Sequence, residues 1–455
     1  MPSIFSRRQV LVGGAALTVA AAPAFSASGD FDVVIVGAGA AGIAAARKIA
    51  ASNRSYVILE AADRAGGRIA SVARPSGGVY DRGANRFSAP TRNPLIAIAR
   101  AEKLKIYEPP AGRRLYIGPR EARDGEYDDF TASLRRASRT IAAVAELGRD
   151  IPATRALPDL GEWQGTVGFV LGPLSCAKDL DEVSTVDLSR ADDRPDDVMI
   201  REGTGAFISA LTRPLNVELN AAVQRIDMGG RGRVEIGTTK GKLTARAVIV
   251  TASTNVLARN GIAFWPALPQ RTVEAFNRLS LGTYERTVFE LPGNPFRFNV
   301  DERIIFKNSD SHSFLLHARP GGTDLAYADF AGRFGRELTA AGDAAIMNFI
   351  IEQLREHFGG SANVRVNKIE TTRWMREPYV LGGFSAAAPG AAASRRTLME
   401  PVADRVFFAG EAAHETMWGT AAGAAISGER AADAVLRYVG VGIQKEPAPK
   451  SSKRS

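Results

Sequence analysis

Phe31-Asp32-Val33-Val34-Ile35-Val36-Gly37-Ala38-Gly39-Ala40-Ala41-Gly42 is the stretch that decides the fold. Its apolar run reads as a parallel strand buried on both faces. The run leads into a G-x-G-x-x-G turn, and residues 43–52 are Ala-rich with helical character. Tyr56-Val57-Ile58-Leu59 then reads as a second strand, ending on Glu60. Strand, helix, strand and terminal acid together make a βαβ unit of the dinucleotide-binding kind. In such a unit Gly37 allows the tight turn, Gly39 lets a pyrophosphate approach the backbone, and Gly42 lets helix and strand pack closely. The helix N-terminus offers free N–H groups and partial positive charge to phosphates. Glu60 is placed to accept hydrogen bonds from ribose hydroxyls.

The next residues are Glu60-Ala61-Ala62-Asp63-Arg64-Ala65-Gly66-Gly67-Arg68. They resemble the E-x-x-x-R-x-G-G-R stretch of the flavin-containing amine oxidase superfamily, which includes monoamine, polyamine and L-amino-acid oxidases. A second match lies near the other end. Arg405-Val406-Phe407-Phe408-Ala409-Gly410-Glu411, followed by Trp418-Gly419-Thr420-Ala421-Ala422-Gly423, is similar to the superfamily's closing strand, acid, glycine turn and helix. The resemblance favours FAD over NAD. It implies an α/β protein with a Rossmann-like FAD-binding domain of the GR2 type, and a mixed α+β substrate domain built on an antiparallel sheet.

The same resemblance assigns cofactor contacts. Ala38, Ala41, Ala61, Arg64, Gly67 and Arg68 are expected beside the nucleotide, with both arginines near the pyrophosphate. The backbone of Gly83, Ala84 and Asn85 is expected to pass the flavin ring, and that of Val223 to bind adenine. Gly410 and Glu411 are expected at the ribityl–phosphate part. Thr420 and Ala421 are expected to face the flavin pyrimidine, where a helix N-terminus stabilises negative charge at N1/O2. Two catalytic expectations follow. Gly83-Ala84-Asn85-Arg86-Phe87 looks like the element of L-amino-acid oxidases whose arginine pairs with the substrate carboxylate, a contact suited to a guanidinium fork. A cofactor phosphate or a loop cap is the alternative for Arg86. Arg286 aligns with the lysine that serves flavin N5 through water in many members; a solvent-facing strand position is its alternative. No cysteine falls at the covalent-linkage position near residues 383–384, so FAD is expected to be noncovalent. The paired tyrosines of the monoamine oxidase cage are missing, since Phe384, Ser385 and Thr420 stand there.

The remaining sequence sets the frame. A chain of 455 residues favours two domains. Arg7 and Arg8 and a basic tail supply about half of the +9 net charge, so nucleic acid and a stable membrane anchor are not expected partners. One cysteine excludes an intrachain disulfide, and four scattered histidines give no metal-ligand spacing. Ser6-Arg7-Arg8-Gln9, a short apolar stretch and Ala22-Pro23-Ala24 resemble a twin-arginine export signal, an ordinary secretory signal being the alternative. The expected divisions are a signal peptide at 1–27 and FAD-binding segments at 30–90, 196–262 and 396–440. Substrate-domain segments are expected at 91–195 and 263–395, and a disordered tail at 441–455. Single helices are expected at 93–103 and 336–358, and one or two helices at 126–147. The expected function is oxidation of an amine or amino acid in the periplasm, with oxygen or a periplasmic carrier as electron acceptor. A related desaturase or protoporphyrinogen-oxidase-like enzyme, and a non-catalytic flavin-binding protein, remain alternatives.

Overall fold

The computed structural model describes residues 28–74, 78–191, 197–230, 232–359 and 365–440. The expected signal peptide (1–27) and tail (441–455) lie outside the described residues. The opening motif folds as read. Strand β1 (Ser28–Val36) leads into helix α1 (Ala40–Ala51), and strand β2 (Tyr56–Leu59) returns parallel to β1. Val33 and Ile35 face one core while Val34 and Val36 face another, and none is more than 6% exposed. An unbroken apolar run is what a strand covered on both faces requires.

Next to β1 lies the long strand Gly241–Val250, parallel to it. The first half of this strand pairs antiparallel with Val234–Thr238, and its last residues pair parallel with Val406–Phe408. Strands Val223–Asp227 and Ala263–Trp265 extend the sheet on one side and Val217–Glu218 on the other, giving eight strands. Helix α1 packs against the closing helix Ala421–Tyr438, so the two ends of the described chain share one core.

The second sheet has seven strands, running Asn367–Thr371, Tyr284–Glu290, Leu325–Ala331, Leu315–Ala318, Glu302–Phe306, Arg114–Ile117 and Arg120–Glu121. It is antiparallel as expected, except that Glu302–Phe306 and Arg114–Ile117 run parallel. Phe289, Phe306 and Phe314 face helix Asp343–Phe358 on one side, and Leu115 and Ile305 meet Trp163 and Val167 on the other. A small sheet of Phe87–Ser88, Asp197–Ile200 and Ile106–Tyr107 lies between the layers in sequence.

Several boundaries differ from expectation. Helix Pro94–Ala101 buries Leu95, Ile96 and Ala99 in the α1 core, so it belongs with the nucleotide sheet and not with the 91–195 segment. Helix Gln270–Arg278 buries Ala275 and Phe276 on the opposite face of that sheet, so the return expected to end at 262 continues past it. Residues 336–358 are not one helix. Gly332–Ala341 and Asp343–Phe358 meet at Gly342, whose φ of 99° no helix accommodates. Residues 124–146 form a single long helix, Asp124–Glu146.

Candidate active site

A large cavity of about 1230 Å³ runs from the first glycine turn to the second sheet. It exceeds the usual size of a small-ligand pocket, leaving room for a dinucleotide and a substrate together. At one end, Gly37 turns the chain with φ of 99°. A Cβ on Gly42 would sit 1.9 Å from the Gly37 carbonyl oxygen, which explains the third glycine. A Cβ on Gly39 would meet nothing within 4 Å, because that position faces the cavity. Gly39 is the N-cap of α1 and brings no side-chain cap to its first turn. The open backbone and uncapped N–H groups form an anion cradle, which is the fit a dinucleotide pyrophosphate requires. Ala41 lines the cavity, whereas Ala38 and Gly42 sit behind the lining.

Glu60 ends β2 and is 7% exposed. Its carboxylate accepts from the backbone N–H of Ala38 at 2.7 Å and of Ala62 at 2.9 Å. Each oxygen keeps a further lone pair for a hydroxyl, so Glu60 fastens two turns as well as lining the cavity with Ala61. The second glycine turn docks on the first through Gly66 N–H to Ala38 C=O at 2.8 Å. Arg64 donates to the Gly67 carbonyl at 3.0 Å and braces its own loop. Arg68 reaches away from it, donating to the Gly383 carbonyl at 2.7 Å and to Glu411 at 3.0 Å.

Glu411 is a hub between the terminal motifs. Besides Arg68 it accepts from Ser385 N–H at 3.1 Å, Ser385 Oγ at 2.7 Å and Gly419 N–H at 2.9 Å. Burial pushes its carboxyl up, but the Arg68 charge and these donors outweigh burial and hold it below its usual value. It lines the cavity with Gly410, yet its oxygens already serve the protein. Thr420 caps the closing helix, accepting from Gly423 N–H at 2.9 Å, and lines the cavity with Ala421. Val223 lines it beside a bulge in its strand.

Gly83 packs so closely on the Arg68 carbonyl that a Cβ would lie 1.8 Å from it. Gly83, Ala84 and Asn85 all line the cavity, and the buried Asn85 Nδ2 has no protein partner. Arg286 also lines it, and the solvent-facing alternative does not fit the geometry. It is 7% exposed, not solvent-facing, and its guanidinium forms a two-pronged pair with Asp329 at 2.7 and 2.8 Å. Its Nη1 donates to the Asp81 and Gly83 carbonyls at 3.2 and 2.9 Å. Burial alone would lower its pKa, and the Asp329 charge raises it instead. Arg286 therefore brings little free charge to the cavity and holds the 81–83 backbone. Tyr284 donates to the same Asp329 at 3.1 Å and stands 5.5 Å, ring to ring, from Phe384. Both rings line the cavity.

Arg86 lines the cavity with its Nη2 on the Asp301 carbonyl at 3.1 Å and its Nε buried without a partner. Arg113 and Arg303 line it as well. Neither carries a sequence signal, because strand pairing between residues about two hundred positions apart brings them together. Among the described residues no cluster of His, Cys, Asp and Glu could hold a metal ion, and no helix is long and apolar enough to cross a membrane.

Comparison with known proteins agrees with this geometry. The model of the flavin containing amine oxidoreductase family matches residues 40–186 and 160–436. A rice (Oryza sativa subsp. japonica) lysine-specific histone demethylase 1 homolog is 27% identical over 263 residues, 56% of this chain and 31% of that protein. Probable polyamine oxidase 4 of Arabidopsis thaliana is 27% identical over 242 residues, 52% of this chain and 48% of that protein. The matched part thus spans between about a third and a half of these curated relatives. Among solved structures, putrescine oxidase bound to putrescine superposes with a TM-score of 0.76 at 17% identity, covering 90% of this chain and all of that one. Cyclohexylamine oxidase from Brevibacterium oxydans IH-35A gives 0.76 at 22% identity, covering 90% and 99%. These likenesses carry the Rossmann-like region and the mixed α+β layer. With the family model spanning nearly the whole described chain and the glycine cradle, Glu60 and the Arg68–Glu411 link in place, the chain belongs to the flavin-containing amine oxidoreductase family.

Proposed function

We propose that this protein binds FAD noncovalently and oxidises the C–N bond of an amine or amino acid to an imine. The observation that carries the reading is the continuity of one cavity from the uncapped α1 turn to the Tyr284–Phe384 wall. When bound, FAD accepts two electrons and the hydrogen of the C–H bond beside nitrogen, and oxygen (giving hydrogen peroxide) or another carrier removes them. The first turn of α1 and Glu60 would hold the pyrophosphate and ribose. Asn85 Nδ2 would donate to the cofactor, and the Val223 backbone would meet adenine. The N–H groups at Thr420 and Ala421 would face the flavin pyrimidine and stabilise the negative charge gained there. Tyr284 and Phe384 would flank the substrate and exclude water. Noncovalent binding is supported by the single cysteine, Cys176, which is buried outside the cavity lining. Export to the periplasm by the twin-arginine route rests on Arg7, Arg8 and the apolar stretch after them.

The test is anaerobic mixing of the holoprotein with monoamines, diamines and amino acids, putrescine and cyclohexylamine among them. Loss of the oxidised flavin absorbance with at least one of these compounds is expected. A flavin that no member of the panel reduces, while dithionite reduces it fully, would overturn the reading.

A further inference from the structure

Three arginines from three parts of the chain meet on the second-sheet side of the cavity. Arg303 lies on the strand Glu302–Phe306, and Arg113 immediately precedes Arg114–Ile117. These strands pair in parallel with Ile304 opposite Arg114, which sets positions 303 and 113 side by side. Arg86 precedes Phe87–Ser88, whose partner strand begins at Asp197. Asp197 is the carboxylate they share. It lies 3.8 Å from Arg86 and 3.7 Å from Arg303, within ion-pair range but beyond a hydrogen bond. Arg113 has no hydrogen bond or ion pair among the described residues. The Nε atoms of all three are buried and unpartnered. Asp301 offsets only the charge of Arg86, and only in part. Its carboxylate takes Tyr107 Oη at 3.0 Å and Gly321 N–H at 2.8 Å and lies near His317, and Arg86 reaches only its backbone oxygen.

Burial and the neighbouring Arg303 charge bring both Arg86 and Arg113 down to about 10, and burial lowers Arg303 as well; guanidiniums stay charged at neutral pH, and Arg303 repels the other two. The Nε atoms are closed off from the cavity, but the Arg113 guanidinium lines it with no protein partner for its Nη groups, so an anion bound there would supply the acceptor they lack. A diamine would bring a second ammonium to a surface that is already positive. We propose that Arg86, Arg113 and Arg303 form an anion subsite, and that the amine this protein oxidises carries a carboxylate seated on them. The aromatic pair and the arginines then divide the work. Tyr284 and Phe384 flank the carbon–nitrogen bond, and the arginines fix the acid end, selecting amino acids over diamines and plain alkylamines. The inference rests on the amine-oxidation reading for its substrate, but not for the subsite itself.

The experiment uses the FAD-loaded protein in calorimetric titrations with hexanoate and benzoate, which carry no amine to oxidise, and with hexylamine and putrescine. Both carboxylates are expected to bind, with affinity falling as salt rises, and the two amines to bind at least about tenfold more weakly. Arg113→Gln and Arg303→Gln should each weaken carboxylate binding about tenfold or more, and Arg113→Lys should fail to restore it because an ammonium lacks the fork. FAD content should not change. Putrescine binding as tightly as hexanoate, or unaltered carboxylate affinity in folded Arg113→Gln and Arg303→Gln proteins, would overturn the subsite. Carboxylate binding in a protein whose flavin no amine reduces would instead keep the subsite and remove the amine-oxidation reading. If Gln variants do not fold, loss of wild-type carboxylate binding at high salt decides the electrostatic origin, and salt-independent binding counts against it.

Discussion

Arg286 and Asp329 face each other directly across two antiparallel strands, a register that turns a candidate catalytic cation into one half of a buried ion pair. Sequence could place Arg286 in the right motif, but Asp329 lies on another strand and has no motif of its own. Removing one partner from a buried pair leaves an uncompensated charge and typically costs about 3–5 kcal/mol, whereas replacing both by apolar groups is often tolerated. Asp329→Asn is therefore expected to destabilise the protein by about that amount, and the double change Arg286→Met with Asp329→Leu to recover much of it. Thermal or urea unfolding measures both, and an unchanged midpoint in Asp329→Asn would mean that the pair does not neutralise Arg286. The same distinction separates legible residues from hidden ones. Gly37, Gly39 and Glu60 act through neighbours within one βαβ unit, so spacing alone reveals them. Arg113 and Arg303 acquire meaning only when the second sheet assembles.

Elements built on local geometry were the most readable. The glycines of the first turn have different tasks, and that difference can be measured. Gly42→Ala would press a methyl group against the Gly37 carbonyl, and overpacking of this kind costs about 1–3 kcal/mol, so lower thermal stability is expected with or without FAD. Gly39→Ala meets no protein atom, and its backbone is already in an extended conformation open to alanine. It should leave the apoprotein's unfolding midpoint nearly unchanged and weaken FAD binding, as followed by fluorescence during cofactor titration. If both variants lose apoprotein stability equally, Gly39 does not border the cofactor. The helix at 336–358 shows the limit of periodicity. Apolar spacing continues through Gly342, but backbone direction does not, and only the positive φ breaks the element. Helix Pro94–Ala101 was found in place, with Asn93 as its cap, yet its apolar face gives no address, so its packing on the nucleotide core was not readable.

At the scale of the molecule, the two terminal motifs share one sheet and one core. The terminal motifs announce a shared nucleotide sheet, while Ala263–Trp265 and Gln270–Arg278 join it without any signature. The whole assembly bears on how the cofactor is held. The cavity draws lining from both glycine turns, the Val223 strand and the closing helix, and no cysteine is part of it. Acid precipitation should accordingly release all the flavin into the supernatant as FAD. Yellow colour retained in the washed pellet would show a covalent link.

The pairing of α1 with the helix Ala421–Tyr438, and of Arg68 with Glu411, also has a meaning in time. During synthesis the first glycine turn emerges well before the strand, hub and helix that complete its pocket. A growing chain cannot enclose a dinucleotide until the helix Ala421–Tyr438 has been made. Yellow colour in a population of molecules therefore counts only those in which that helix has reached α1.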